Sequence, residues 1–143
     1  MIKTFQIKIP LSFDESFELI RKSGDEIISW KTNHSDATNG YIDWKQSFWT
    51  LTGNTLIAAH LEQEKENETS VTVSVHKPLQ VFDPVGICQR VFNKFLKSLE
   101  SNLARSDNHK GVRIKLVWIT VNMWGKPHMF KIMLFLILSF MMS

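Results

Sequence analysis

The sequence predicts an α+β fold: an antiparallel, curved, five-stranded sheet, a short N-terminal helix, and a long C-terminal helix packed across the sheet, with an apolar tail after it. Three observations predict it. The stretch 83–103, DPVGICQRVFNKFLKSLESNL, places Cys88, Val91, Phe92, Phe95, Leu96, Leu99 and Leu103 at the three-and-four spacing of one helix face. Five short segments before it alternate apolar and polar residues, or mix β-branched and aromatic ones, as half-buried strands do. Four of these segments follow one another across short turns, so they pair antiparallel, and a long one-sided helix needs the apolar face such a sheet offers.

Residues 3–9 open the chain with Phe5, Ile7 and Ile9 on one side and Thr4, Gln6 and Lys8 on the other, and Pro10 ends the strand. Ser12 and Glu15 form a capping-box pair, and Phe13, Phe17 and Ile20 then recur at helical spacing up to Gly24, a C-terminal stop. The second strand is expected over 26–32 with Ile28 and Trp30 on one face; SDATNG at 35–40 is turn chemistry. A longer strand is expected over 41–51, with Ile42, Trp44 and Phe48 sharing a face that Gln46 interrupts. Gly53-Asn54 predicts a tight hairpin turn, 55–63 the returning strand, and EKENE at 64–68 a solvated loop. Residues 69–76 give the cleanest alternation, with Val71, Val73 and Val75 inward. Asp83 as N-cap and Pro84 at the first helical position then predict the start of the long helix.

The organisation expected is a domain over 1–104, a linker over 105–111 (RSDNHKG) and an apolar, basic tail over 112–143. Residues 1–106 hold 12 Lys/Arg against 13 Asp/Glu, whereas 107–143 hold 5 against 1, so the basic character belongs to the tail. A nearly neutral domain without a cationic stripe is a poor binder of phosphate backbones, and no nucleic-acid partner is expected. The tail has three competing readings. Residues 129–143 insert as a membrane anchor, with Lys126, His128 and Lys131 on the cytoplasmic side; or they are a truncated or out-of-frame end; or the tail adds an ordinary strand or helix to the domain. As a helix, 15 residues span only about 22 Å, short of the roughly 30 Å of bilayer hydrocarbon. With one cysteine and no leader-like apolar region at MIKTFQIKIP, the expected location is the cytoplasm, at the inner face of the membrane if the tail inserts.

No catalytic or metal-binding constellation stands out. The five histidines, His34, His60, His76, His109 and His128, lack ligand spacing, and Cys88 lies on the apolar helix face as a small buried hydrophobe. Asp14, Glu15 and Glu18 suit the positive end of the first helix. No phosphate-cradling glycine loop, nucleophile elbow or dinucleotide fingerprint occurs, and neither a metal nor a cofactor is expected. What remains is aromatic: Trp30, Trp44, Phe48, Trp49, Phe92 and Phe95 either fill the space under the long helix or line a pocket for an apolar ligand.

Residues 1–104 resemble the small members of the START/Bet v 1-like (SRPBCC, helix-grip) superfamily. The resemblance is carried by FQIKIPLSFDESFELI, an opening strand into a short helix, and by VTVSVHKPLQVFDPVGICQRVFNKFLKSLESNL, an alternating strand before a Pro-containing entry into a long terminal helix. It implies an apolar ligand, lipid-like or otherwise, held between helix and sheet; some relatives are cyclases or hydrolases. No family catalytic residue maps onto this chain, and its short first helical section implies a small cavity or none. The expected function is a non-enzymatic domain that binds an apolar ligand or a protein partner and is membrane-tethered if the tail inserts. Trp44, Phe48, Phe92, Phe95 and Leu99 are the expected ligand contacts. The alternatives are a cyclase- or hydrolase-type enzyme with Gln46 or His60 in its pocket, and a structural interaction module with an apolar patch around Trp49, Leu56 and Ala58.

Overall fold

The computed structural model describes residues 2–47, 54–78, 86–105, 114–122 and 130–132, and for 115–122 and 130–132 the description is of the backbone. Strand β1 (Ile2–Ile9) leads into helix α1 (Phe13–Asp25). Four strands follow, β2 (Trp30–Asp36), β3 (Tyr41–Gln46), β4 (Leu56–Lys65) and β5 (Glu68–His76). Helix α2 (Ile87–Arg105) comes next, and then β6 (Lys115–Asn122) and β7 (Phe130–Ile132). All strands belong to one antiparallel sheet in the order β2, β3, β4, β5, β1, β6, β7. The expected α+β helix-grip architecture is present: β1 to β5 form the curved sheet, and α2 lies across its inner face.

Alternation decides which side chains enter the core. Phe5, Ile7, Ile9, Ile42, Trp44, Ile57, Ala59, Leu61, Val71, Val73 and Val75 point inward and are buried. Helix α2 meets them with Cys88, Val91, Phe92, Phe95, Leu99 and Leu103, and α1 adds Phe17 and Ile20. Ser12 caps α1 as expected, its Oγ accepting from the Glu15 N–H at 3.4 Å and donating to the Glu15 carboxylate at 3.1 Å. The other end of the sheet is pinned by Lys8, which reaches Glu64 at 2.8 Å and Glu68 at 3.4 Å. Those contacts raise the Lys8 pKa and lower that of Glu64, each chiefly through the hydrogen bond between the two.

Several expectations need correction. Strand β2 starts at Trp30, later than expected, and runs to Asp36; Ile28 lies in the preceding turn and is fully exposed. As the edge strand, β2 buries little beyond Trp30, so its sequence carries no alternation to read. The expected loop at 64–68 is a two-residue turn, because β4 runs to Lys65 and β5 begins at Glu68. Helix α1 continues past Gly24 to Asp25; what Gly24 provides is space, since a Cβ there would collide with the Trp44 indole. Helix α2 is described from Ile87, and the expected N-cap Asp83 and first helical residue Pro84 lie outside the described residues. Gly86, at φ +66, is outside the helical region and marks the boundary, while its carbonyl accepts from the Arg90 N–H at 2.9 Å.

Part of the tail is sheet. Strand β6 pairs with β1 from Ile2↔Asn122 to Lys8↔Lys115, and β7 pairs with β6. The rest of 123–143, including most of the segment read as an anchor, lies outside the described residues, as do 48–53 and 106–113. Among the described residues no helix is long and apolar enough to cross a membrane.

Candidate functional site

The space under α2 is where the expected site residues meet. Trp44 comes from β3 and Phe92, Phe95 and Leu99 from successive turns of α2; all four are almost completely buried in one cluster. Phe48 lies outside the described residues. Phe95, Trp30 and Trp44 form a triangle, with the Phe95 ring centroid 5.9 Å from each indole and the two indoles 5.7 Å apart. Phe92 stacks on Phe5 with centroids 3.9 Å apart. These separations are those of rings in direct contact.

Trp44 is fixed from two sides. Its indole lies against Gly24, and its Nε1–H donates to the Asp25 carboxylate at 3.1 Å. The same carboxylate oxygen accepts from the Thr32 hydroxyl, and the other oxygen faces Arg21 at 3.6 Å. Asp25, at the end of α1, therefore ties β2 and β3 to the helix. Trp30 is a contrast. It is nearly buried, yet among the described residues its Nε1–H has no hydrogen-bond partner. Gln46, its cross-strand neighbour, is buried on the same inner face, and its backbone N–H donates to the Thr55 carbonyl at 2.9 Å. Of the two residues the enzyme alternative relied on, Gln46 faces the interior; His60 is exposed on the outer face, 3.4 Å from Glu62.

Asn102 has no place in the sequence reading, although it interrupts the apolar stripe between Leu99 and Leu103. Its amide Nδ2 donates to Glu26 at 2.8 Å, to the Ser98 carbonyl at 3.0 Å and to the Ser23 hydroxyl at 3.3 Å. The Ser98 hydroxyl in turn donates to the Ser23 carbonyl at 2.8 Å, so polar pairs, and not apolar packing alone, lock α2 onto α1. A polar residue at a core spacing was the available signal. Beside Asn102 an open groove of about 480 Å³ runs between the helices, lined among others by Glu18, Arg21, Lys22 and Glu26. Its charges are largely spent internally: Arg21 lies 2.6 Å from Glu18, and Glu26 holds Asn102.

The sheet's outer face carries small and polar side chains, including Thr4, Gln6, Ala58, Thr72 and Ser74. At the end where β2 begins, register aligns Lys31, Lys45, Leu56, His76 and Ile2 across five strands. Leu56 is 41% exposed and Ala58 is half-buried, while Trp49 lies outside the described residues. Burial, followed by the charge of the nearby N-terminus, lowers the His76 pKa below the usual imidazole value. Among the described residues no group of His, Cys, Asp or Glu is arranged to hold a metal ion.

No protein-family profile and no curated protein sequence matches this chain. Solved structures do. An uncharacterised protein from Bacillus thuringiensis is 14% identical with a TM-score of 0.54, the match covering 71% of this chain and 97% of that one. The Aha1 dimer from Colwellia psychrerythraea is 16% identical with a TM-score of 0.51, covering 75% of this chain and 98% of that one. An Hsp90 activator from Plasmodium falciparum is 14% identical with a TM-score of 0.51, covering 80% and 99%. At this identity the likeness is one of fold. Each of these three is matched over nearly its whole length, while a fifth or more of this chain remains outside the match.

Proposed function

With the helix-grip fold of the START/Bet v 1-like superfamily as the premise, we propose that the chain is a non-enzymatic binding module that acts by docking to a protein partner. The observation that carries this reading is the contact among Trp30, Trp44 and Phe95, together with the Phe5–Phe92 stack. The large side chains that would wall a ligand chamber use one another as packing partners instead. One neighbour of the same fold is described as an Hsp90 activator, a role exercised on another protein.

One observation favours a second reading, an apolar ligand held against Trp44, Phe48, Phe92, Phe95 and Leu99. Among the described residues the Trp30 Nε1–H is a buried donor without an acceptor, a state that costs about 1–3 kcal/mol and that a ligand carbonyl would relieve. Native mass spectrometry of the full chain separates the two readings. The full chain is needed because removing the tail would strip β6 from β1. The docking reading expects the bare chain mass. A small molecule retained in the native spectrum and released on denaturation would replace it with the ligand reading.

A further inference from the structure

The row Lys31, Lys45, Leu56 on the outer face is an expensive arrangement to leave unused. Lys31 and Lys45 are direct cross-strand partners, and Lys45 is in turn the partner of Leu56. Like charges directly opposite one another on adjacent strands destabilise a sheet. Some other cations of the fold are in ion pairs: Lys8 has Glu64 and Glu68, Arg21 has Glu18 and Asp25, and Arg105 lies 3.9 Å from Glu26. Among the described residues neither Lys31 nor Lys45 has an ion-pair partner. The carboxylate next along β3 on the same face, Asp43, accepts from the Tyr41 hydroxyl at 3.0 Å; as one negative charge against two lysines, it leaves this corner net positive. Beside the lysines is Leu56, one of two exposed large apolar side chains among the described residues; the other, Ile28, is in the turn that feeds β2 at the same end of the sheet.

We infer that this corner docks an acidic segment of a protein partner, with Lys31 and Lys45 meeting its carboxylates and Leu56 meeting an apolar side chain. The inference rests on the docking reading above and gives it a surface. Charge complementarity selects the occupant: an acidic segment cancels the repulsion between the two lysines, and strands about 4.8 Å apart set the spacing at which it must present its groups. An anionic bilayer fits less well. Electrostatic attachment to lipid uses clusters of about four to eight Lys/Arg, and this corner offers two, with Leu56 set among half-buried neighbours. Lysine on an edge strand also deters edge-to-edge pairing. That role accounts for Lys31 on β2 but not for Lys45, which is on the second strand in.

The test uses the full chain and a fluorescein-labelled peptide, Glu-Leu-Glu-Asp-Leu-Glu, against its Gln/Asn counterpart. The acidic peptide is expected to bind, more weakly as salt rises, and to shift the backbone amide signals of Lys31, Lys45 and Leu56; the uncharged peptide is not. Lys31→Glu/Lys45→Glu, which keeps charge on the edge, is expected to weaken binding about tenfold or more. Lys31→Gln alone is expected to weaken binding while raising the denaturation midpoint, because the like-charge pair is gone. No binding, binding unaffected by the double reversal, shifts centred on the α1–α2 groove, or lysine-dependent binding to phosphatidylserine vesicles in its place would each overturn the inference. None of these outcomes touches the docking reading itself, which falls on a retained small molecule in native mass spectrometry.

Discussion

Replacing Phe95 by alanine tests whether the rings under α2 are packing or walls. Phe95 is 0% exposed, and it touches both Trp30 and Trp44. Burial of a phenylalanine side chain is worth about 1.5–3 kcal/mol, and each aromatic contact adds about 0.5–1.5 kcal/mol. With two such contacts the expected loss is about 2.5–6 kcal/mol, which brackets the roughly 3–5 kcal/mol found when phenylalanine is cut to alanine in filled cores. For a domain whose total stability is about 5–15 kcal/mol, that is a large share. Urea titration followed by far-UV circular dichroism reads it as a lower midpoint at unchanged slope. Phe95→Leu, closer in volume, is expected to lose under about 1.5 kcal/mol. A loss below about 1 kcal/mol for Phe95→Ala would refute the reasoning, because a ring that borders open space leaves little behind when it is removed.

Other perturbations address the contacts around Trp44 and the outer face. Gly24→Ala drives a methyl group into the Trp44 indole and is expected to cost about 1–3 kcal/mol by overpacking, with Trp44→Phe in the same chain recovering part of it. Asp25→Ala orphans the buried Trp44 Nε1–H and is expected to cost about 1–3 kcal/mol; a double-mutant cycle with Trp44→Phe should show positive coupling, and strict additivity would dismiss the hydrogen bond. His76 has a lowered pKa in the fold, so the unfolded chain takes up its proton first. Its contribution is fully present above the ordinary imidazole value near 6.5 and is lost as pH falls below it. Melting temperatures measured from pH 7.5 down to 5.5 should therefore fall less steeply in His76→Gln than in the parent.

How much of this was legible in the sequence depends on whether burial leaves a period. Strand β5 and the apolar face of α2 were readable because Val71, Val73 and Val75, and Phe92, Phe95 and Leu99, repeat with the period of their element. Strand β2 was misplaced because its residues after Trp30 are exposed, so KTNHSD has the composition of a turn while its backbone pairs with β3. The start of α2 was read from Asp83-Pro84, which lie outside the described residues; the described helix begins at Ile87, after the left-handed backbone at Gly86. Of the candidate site, Trp44 was legible from strand alternation and Phe92, Phe95 and Leu99 from helical spacing. The Asp25–Trp44 hydrogen bond and the Asn102 cluster were not, since each joins side chains from elements whose mutual approach is set by tertiary packing.

The position of β1 between β5 and β6 also governs the order in which the sheet is completed. Ile2 pairs with His76, and on its other side with Asn122, so this end of β1 finds its two partners only after 74 and 120 further residues. At about 5–20 residues per second of synthesis, the earlier of these pairings waits roughly 4–15 s. During that interval FQIKI, an alternating apolar segment with both edges open, is available to any other strand in the cell. Long-range pairing of this kind slows folding. The architecture therefore leaves both edges of β1 unpaired until the later strands arrive, the kind of exposed strand edge that makes partly folded chains prone to aggregate.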